Sequence, residues 1–124
     1  MEVKSISLDE LVNLEGVVLA CEFTADGKCV DFKARGDVTR ELADKSSEYI
    51  ATVTMLFNTL AGSFTELSKM NWIPQRGWLY SGGDWTVVVG GSQAVLAETA
   101  KADISRLFDL LVGRRVERLI RPSI

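Results

Sequence analysis

The chain has 124 residues, 47% of them apolar and 25% charged, which is the composition of one globular domain and excludes disorder as its main state. Fourteen basic residues stand against seventeen acidic ones, and the net charge of −3 is unlike that of proteins that coat nucleic acid. The apolar runs are shorter than the ~20 residues that span a bilayer and the N-terminus shows no signal peptide, so we expect one cytoplasmic domain over residues 1–124 that neither binds nucleic acid nor inserts into a membrane.

The first predicted element is a short helix from about Leu8 to Glu15. Ser7 and Glu10 form the S-x-x-E pattern of a capping box, in which each side chain bonds the other residue's backbone N–H. Gly16 then provides a stop signal for this helix.

A β-hairpin follows, with strands at Val17–Thr24 and Cys29–Arg35 and the turn residues Asp26-Gly27 between them. A two-residue turn at this position places Cys29 opposite Thr24, on the polar face of the hairpin. We therefore interpret Cys29 as the candidate reactive thiol.

The same register determines which hairpin residues are buried. It places Val30 opposite Phe23 and puts both on the apolar face together with Cys21. Because the two cysteines then lie on opposite faces, we expect no disulfide between them.

A long helix is predicted from Val38 to Ser68, with Asp37 as its N-cap. Its length of roughly 47 Å exceeds the diameter of about 35 Å expected for a domain of this size. Either the helix breaks near Gly62, or a second copy of the chain covers part of its apolar face. The residues of that face recur every three or four positions: Leu42, Ser46, Tyr49, Val53, Leu56, Leu60, Phe64 and Leu67.

Three short strands come next, at Gly77–Ser81, Trp85–Val89 and Gln93–Thr99, and their Gly-rich turns predict an antiparallel meander. Alternation places Trp78 and Tyr80 on one face of the first of these strands. Aromatic side chains there fit either packing under a helix or an anchor in a protein interface.

The last predicted helix runs from about Ala102 to Val112, and a basic tail follows it. The arginines of this tail fit an acidic partner or a membrane surface, and they equally fit the negative end of the preceding helix. The candidate partner-binding residues are Arg114, Arg115, Arg118 and Arg121.

The sequence contains no histidine and only two cysteines. This removes the commonest general base and the commonest zinc ligand, and it leaves too few thiols for a four-cysteine metal site. We therefore predict no catalytic residue, no cofactor and no metal ion.

The element order α-β-β-α-β-β-β-α resembles that of the roadblock family, related to the dynein light-chain roadblock proteins, over essentially the whole chain. The residues that carry the resemblance are Gly16–Ala20 in the first strand, Asp26-Gly27, the long second helix and the Asp84–Val89 strand. The chain looks like a small prokaryotic subgroup of uncharacterised roadblock-like proteins. The resemblance implies an α+β, profilin-like fold: a five-stranded antiparallel sheet with the long second helix on one face and the N- and C-terminal helices on the other.

Roadblock domains are non-catalytic dimerisation modules that serve as motor light chains, membrane scaffolds or regulators of small GTPases. The resemblance therefore implies a non-enzymatic scaffold or regulatory subunit whose protein partner is a small GTPase or a larger complex. It also implies a homodimer formed through the second helix and the third strand, with the interface residues Tyr49, Val53, Leu56, Leu60, Phe64, Trp78 and Tyr80.

Two other functions remain open from the residues themselves. The first is an accessory protein of a prokaryotic redox or sulfur-metabolism complex that uses Cys29. The second is a small-ligand protein with a pocket lined by its tryptophans.

Overall fold

The computed structural model of the protein describes residues 6–113 and shows an α+β architecture in the predicted element order. The final helix continues directly into a π-helical segment, Asp109–Gly113. The elements are α1 (Leu8–Val12), β1 (Val17–Phe23), β2 (Cys29–Ala34), α2 (Arg40–Ser68), β3 (Gly77–Ser81), β4 (Trp85–Gly90), β5 (Gln93–Glu98) and α3 (Ile104–Phe108).

The five strands form one antiparallel sheet in the order β2-β1-β5-β4-β3, so β2 and β3 are its two edges. Helices cover both faces of the sheet, and a separate hydrophobic core lies on each face. Leu11 and Leu107 carry α1 and α3 into one core, whereas Ala43 and Ile50 carry α2 into the other. The expected placement of the long helix opposite the two terminal helices is confirmed.

Helix α1 is shorter than predicted, because it ends at Val12 and not at Glu15. The Ser7 hydroxyl caps its start by accepting a hydrogen bond from the Asp9 amide at 3.1 Å. Beyond the helix the chain turns tightly towards Gly16, which has a φ of +84°. A side chain at Gly16 would overlap the backbone of Ala102, so this glycine allows the two segments to approach closely.

Glu22 pairs with Asp31, which is the register that a two-residue turn at Asp26-Gly27 would give, but the register shifts at a β-bulge beside the turn, where Phe23 pairs with Cys29. The cause is a three-residue loop instead of a two-residue turn. The Thr24 amide donates to the Lys28 carbonyl at 2.9 Å, which leaves Ala25, Asp26 and Gly27 in the loop, with Gly27 at a φ of +90°.

This bulge exchanges two side chains between the faces of the hairpin. Cys29 is buried and Val30 is 61% exposed, so the predicted positions of both residues are wrong. Cys29 and Cys21 lie in the same core under α2, and both are free thiols.

Helix α2 starts two residues later than predicted, and its cap is Thr39, not Asp37. The Thr39 hydroxyl accepts a hydrogen bond from the Leu42 amide at 3.2 Å. The helix then continues without a break through Gly62 for 29 residues, a length of about 43 Å. Of the two alternatives left by the sequence, the break at Gly62 is therefore ruled out.

The remaining boundaries differ from prediction by one or two residues, except that α3 ends at Phe108, four residues before the predicted Val112, because Asp109–Gly113 form the π-helical segment. Strand β4 extends to Gly90, β5 ends at Glu98, and α3 starts at Ile104 after an Asp103 cap. The basic tail with Arg114, Arg115, Arg118 and Arg121 lies outside the described residues.

Candidate functional site

Only the first half of α2 is buried against the sheet. Its buried residues are Ala43, Ser47, Ile50 and Ala51, and no residue from 52 to 68 is buried. At the midpoint of the helix, the Trp78 indole on edge strand β3 donates to the Thr54 hydroxyl at 2.8 Å. The second half of α2 therefore begins where the sheet ends.

A continuous row of apolar side chains, here called the α2 stripe, runs along the helix. At about 100° per residue its members fall within roughly 40° of one line, about 120° around the helix from the buried residues. Leu56 is 56% exposed and Leu60 52%, which is unusual for leucine on a helix packed against a sheet. The α2 stripe consists of Leu42, Tyr49, Val53, Leu56, Leu60, Phe64 and Leu67.

Edge strand β3 adjoins the α2 stripe. Within residues 6–113, no strand pairs with its outer edge. Trp78 is half-buried and meets Phe57 edge-on at 5.5 Å between ring centroids, while Tyr80 is largely exposed. Trp78 therefore packs partly in the core and partly at the surface, and Tyr80 enlarges the exposed apolar area next to it.

A groove of about 250 Å³ lies between β3 and α2. It is bordered by Trp78 and Tyr80 together with Tyr49 and Val53.

A larger groove, of about 800 Å³, lies between the second half of α2 and the 69–76 loop. The loop is held against the helix by polar contacts. The Trp72 indole donates to the Ser68 hydroxyl at 3.0 Å, and the Gln75 amide donates to the Asn58 side-chain oxygen at 2.9 Å. Because these bonds fix the loop, the groove is preformed. Arg76 forms part of its wall.

The three tryptophans do not surround one pocket. Trp72 borders the larger groove, Trp78 borders the smaller one, and Trp85 borders a third groove beside Leu42 at the start of α2. All three grooves touch the same side of the protein, the side that carries the α2 stripe.

The two cysteines are placed for packing. Burial raises the pKa of the Cys21 thiol from 9.0 to about 11, an effect that the nearby Ser47 hydroxyl only partly offsets. Cys29 is 9% exposed, and its Sγ lies 3.6 Å from the Asp31 carbonyl oxygen. A reactive Cys29 was a sequence-based prediction that assumed the polar face, and the bulge places the residue in the core.

Sequence reasoning missed two residues of this region. Thr54 is the partner of Trp78, and nothing in its local sequence distinguishes it from other helix threonines. The second missed residue is Arg76, which the sequence could have indicated. Residues 69–83 contain two basic residues and no acidic one, so Arg76 has no acidic residue near it in the sequence.

Among the described residues, no three His, Cys, Asp or Glu side chains come together as a metal site would require. Within the same range, no helix is both long and apolar enough to cross a bilayer.

The fold is that of roadblock/LC7 domains. One similar structure is a roadblock/LC7 domain from Streptomyces avermitilis, with a TM-score of 0.64, 16% identity, and coverage of 90% of this chain and 91% of that one. Another is the gliding protein MglB from Thermus thermophilus, with a TM-score of 0.67, 16% identity, and coverage of 92% and 83%. A structure of MglB with a tetrameric arrangement has the same TM-score of 0.67 and identity of 16%, with coverage of 92% and 82%. At 16% identity, these similarities are evidence for a shared fold alone.

Residues 7–112 match the model of the family described as "Uncharacterized conserved protein (DUF2173)", so the chain belongs to this family. No curated protein matches the sequence.

Proposed function

We propose that the protein is a non-catalytic scaffold or regulatory subunit that works as a homodimer joined through the α2 stripe and edge strand β3. The single observation that carries this proposal is the second half of α2, which continues beyond the sheet with its apolar side chains exposed. A long helix of this kind is stable in water when another surface covers its apolar side.

A second copy of the same chain provides that surface. If two β3 edges pair antiparallel about a two-fold axis, the two sheets become one and both α2 helices lie on the same face. Each projecting half of α2 then lies over the neighbouring copy, beside that copy's α2 stripe. Pairing also satisfies the open backbone groups of β3, which otherwise form a site for uncontrolled association.

The energetics favour such an interface. Full burial of one Leu or Phe side chain stabilises a complex by about 1.5–3 kcal/mol. The α2 stripe offers several such residues, and Tyr80 with Trp78 adds the aromatic anchors that dominate many interfaces. These contributions are large enough to offset the free-energy cost of association, which is on the order of 4–15 kcal/mol.

The dimer itself would bind a further protein. The partner we expect from the roadblock resemblance is a small GTPase or a subunit of a larger complex, in the cytoplasm. The basic tail residues Arg114, Arg115, Arg118 and Arg121 are the candidate contacts for this partner. No catalytic residue, nucleic acid or integral membrane contact is part of this proposal.

The test is the oligomeric state of two matched helix variants. Leu60→Asp places a charge in the α2 stripe, and burying it should weaken the dimer by several kcal/mol. Met55→Asp is the control, because Met55 is 61% exposed on the same helix but points away from the stripe. Sedimentation velocity at low micromolar concentration should give a dimer for the wild type and Met55→Asp, and a monomer for Leu60→Asp. A monomeric wild type, or a dimeric Leu60→Asp variant, would contradict the proposal.

A further inference from the structure

Arg76 carries a charge that the described part of the chain does not neutralise. Its guanidinium makes no ion pair there, and its Nη1 atom is buried without a hydrogen-bond partner. A buried cationic donor without an acceptor is costly, and native proteins rarely leave one in that state. The side chain borders the large groove, whose wall is mostly apolar and includes Phe57 and Phe64.

An unpaired acid lies at the other end of the same edge strand. Asp84 is exposed at the tip of the β3–β4 hairpin, and among residues 6–113 its carboxylate makes no ion pair. Its backbone is well anchored, since the Asp84 carbonyl accepts from the Thr99 amide at 2.9 Å and the Gly82 amide donates to the Trp85 carbonyl at 2.8 Å. Arg76 precedes β3 and Asp84 follows it, so the two charges lie at opposite ends of one strand.

Two-fold symmetry brings opposite ends of identical strands together. In antiparallel pairing, directly opposed residues share a face, so the even-numbered residues of β3 must face the even-numbered residues of the other β3 for the two α2 helices to lie on one side. Pairing centred on Leu79 therefore sets Arg76 opposite Gly82 of the second copy. Pairing centred on Tyr80 brings Arg76 beside the turn residues Gly83 and Asp84, which follow the end of β3 in the second copy.

We infer that Asp84 of one copy forms an ion pair with Arg76 of the other, twice per dimer. The second copy thus supplies the acidic partner that Arg76 lacks within the described part of a single chain. The inference rests on the proposed homodimer and specifies its register. Each ion pair closes one end of the β3–β3 ladder and supplies an acceptor for the Arg76 guanidinium, whose Nη1 atom is buried without one among the described residues. Registers slipped further in either direction would separate the two charges, so the pair limits how the two sheets can align.

The experiment uses charge reversal in the full chain. Arg76→Asp places two carboxylates opposite each other in its homodimer, and Asp84→Arg places two guanidinium groups there. Each variant should raise the dimer dissociation constant about tenfold or more, as close interfacial charge pairs do. Lys33→Asp makes the same change in net charge as Arg76→Asp, but on β2 at the opposite edge of the sheet, and its dissociation constant should stay within about twofold of wild type.

Mixing the two reversed chains provides the decisive measurement. In a mixed dimer, both positions regain opposite charges, so native mass spectrometry should show mostly heterodimers. Their dissociation constant should lie within about threefold of wild type. Homodimers in statistical proportion, or no gain on mixing, would overturn the inference.

A second route covers a folding failure of Arg76→Asp. In the Asp84→Arg background, Arg76→Gln removes one charge of the repulsive pair and should recover most of the lost dimer affinity. Absence of recovery would overturn the inference. A wild-type monomer would instead defeat the proposed homodimer itself, whereas a dimer indifferent to these charges would leave the proposed function intact and refute only the ion pair.

Discussion

The indole nitrogen of Trp78 donates a hydrogen bond of 2.8 Å to the hydroxyl of Thr54 and thereby ties edge strand β3 to the midpoint of α2. This bond spans two elements that the proposed dimer uses together. It joins β3 to the point on α2 at which the projecting half of the helix begins.

Thr54→Val should leave the Trp78 N–H without its acceptor and cost about 1 kcal/mol of unfolding free energy. Trp78→Phe should cost more, because it also removes ring area that packs on Phe57. Urea denaturation of both single variants and the double variant, at one protein concentration, measures the coupling. Strictly additive losses would show that the bond contributes nothing to stability.

Both cysteines should resist labelling in the native protein, because Cys21 is fully buried and Cys29 is 9% exposed. A thiol reagent in excess should modify both residues only after unfolding, and Cys29→Ser should lose one of the two sites. Rapid native modification of Cys29 would revive the redox or sulfur-metabolism function, which needs an accessible thiolate.

Stability should fall in alkali through Cys21. The pKa of its thiol is about 11 when folded and about 9 when unfolded, so between these values only the unfolded chain loses the proton. The protonated Cys21 thiol makes its full contribution to the unfolding free energy below about pH 9. This contribution is lost as the pH rises to 11, which lowers the unfolding free energy by roughly 2 kcal/mol. Unfolding curves of wild type and Cys21→Ala from pH 8 to pH 11 isolate this contribution, because the two proteins share every other ionisable group. Parallel losses in the two proteins would contradict the prediction.

Thr39→Ala should lower the unfolding free energy by about 1 kcal/mol, since the Thr39 hydroxyl caps the Leu42 amide at the start of α2. Asp37→Ala is the control, as Asp37 precedes the cap and is exposed. Thermal melts followed by circular dichroism compare the two variants. The opposite ranking would restore Asp37 as the cap.

Two glycines should respond to alanine with opposite signs. Gly62 lies in the interior of α2 and an added methyl group there meets open space, so Gly62→Ala should stabilise by about 0.5–1 kcal/mol. Gly90 packs against the Leu111 carbonyl, which an added methyl group would overlap, so Gly90→Ala should cost about 1–3 kcal/mol. Urea midpoints of both variants test the pair, and a destabilised Gly62→Ala would point to a requirement for glycine that open space does not explain.

Local patterns predicted most of the fold correctly. The sequence predicted the apolar residues spaced three and four apart in α2 and the start of β3 at Gly77, because the periods of helices and strands are properties of short segments. The prediction of the hairpin turn is wrong because it, too, used only the local sequence. Asp26-Gly27 suits a two-residue turn, but the bond between Thr24 and Lys28 gives a three-residue loop.

The sequence by itself determined the order of the elements and the presence of an apolar row along α2, since these depend on neighbours in the chain. Only the tertiary structure decided that Cys29 is buried, that α2 passes Gly62 unbroken, and that Arg76 has a buried Nη1 atom with no hydrogen-bond partner within residues 6–113. Each of these depends on which distant segments meet. Burial and charge pairing are set by contacts across the sheet, and a local pattern carries no information about which surface a side chain will find there.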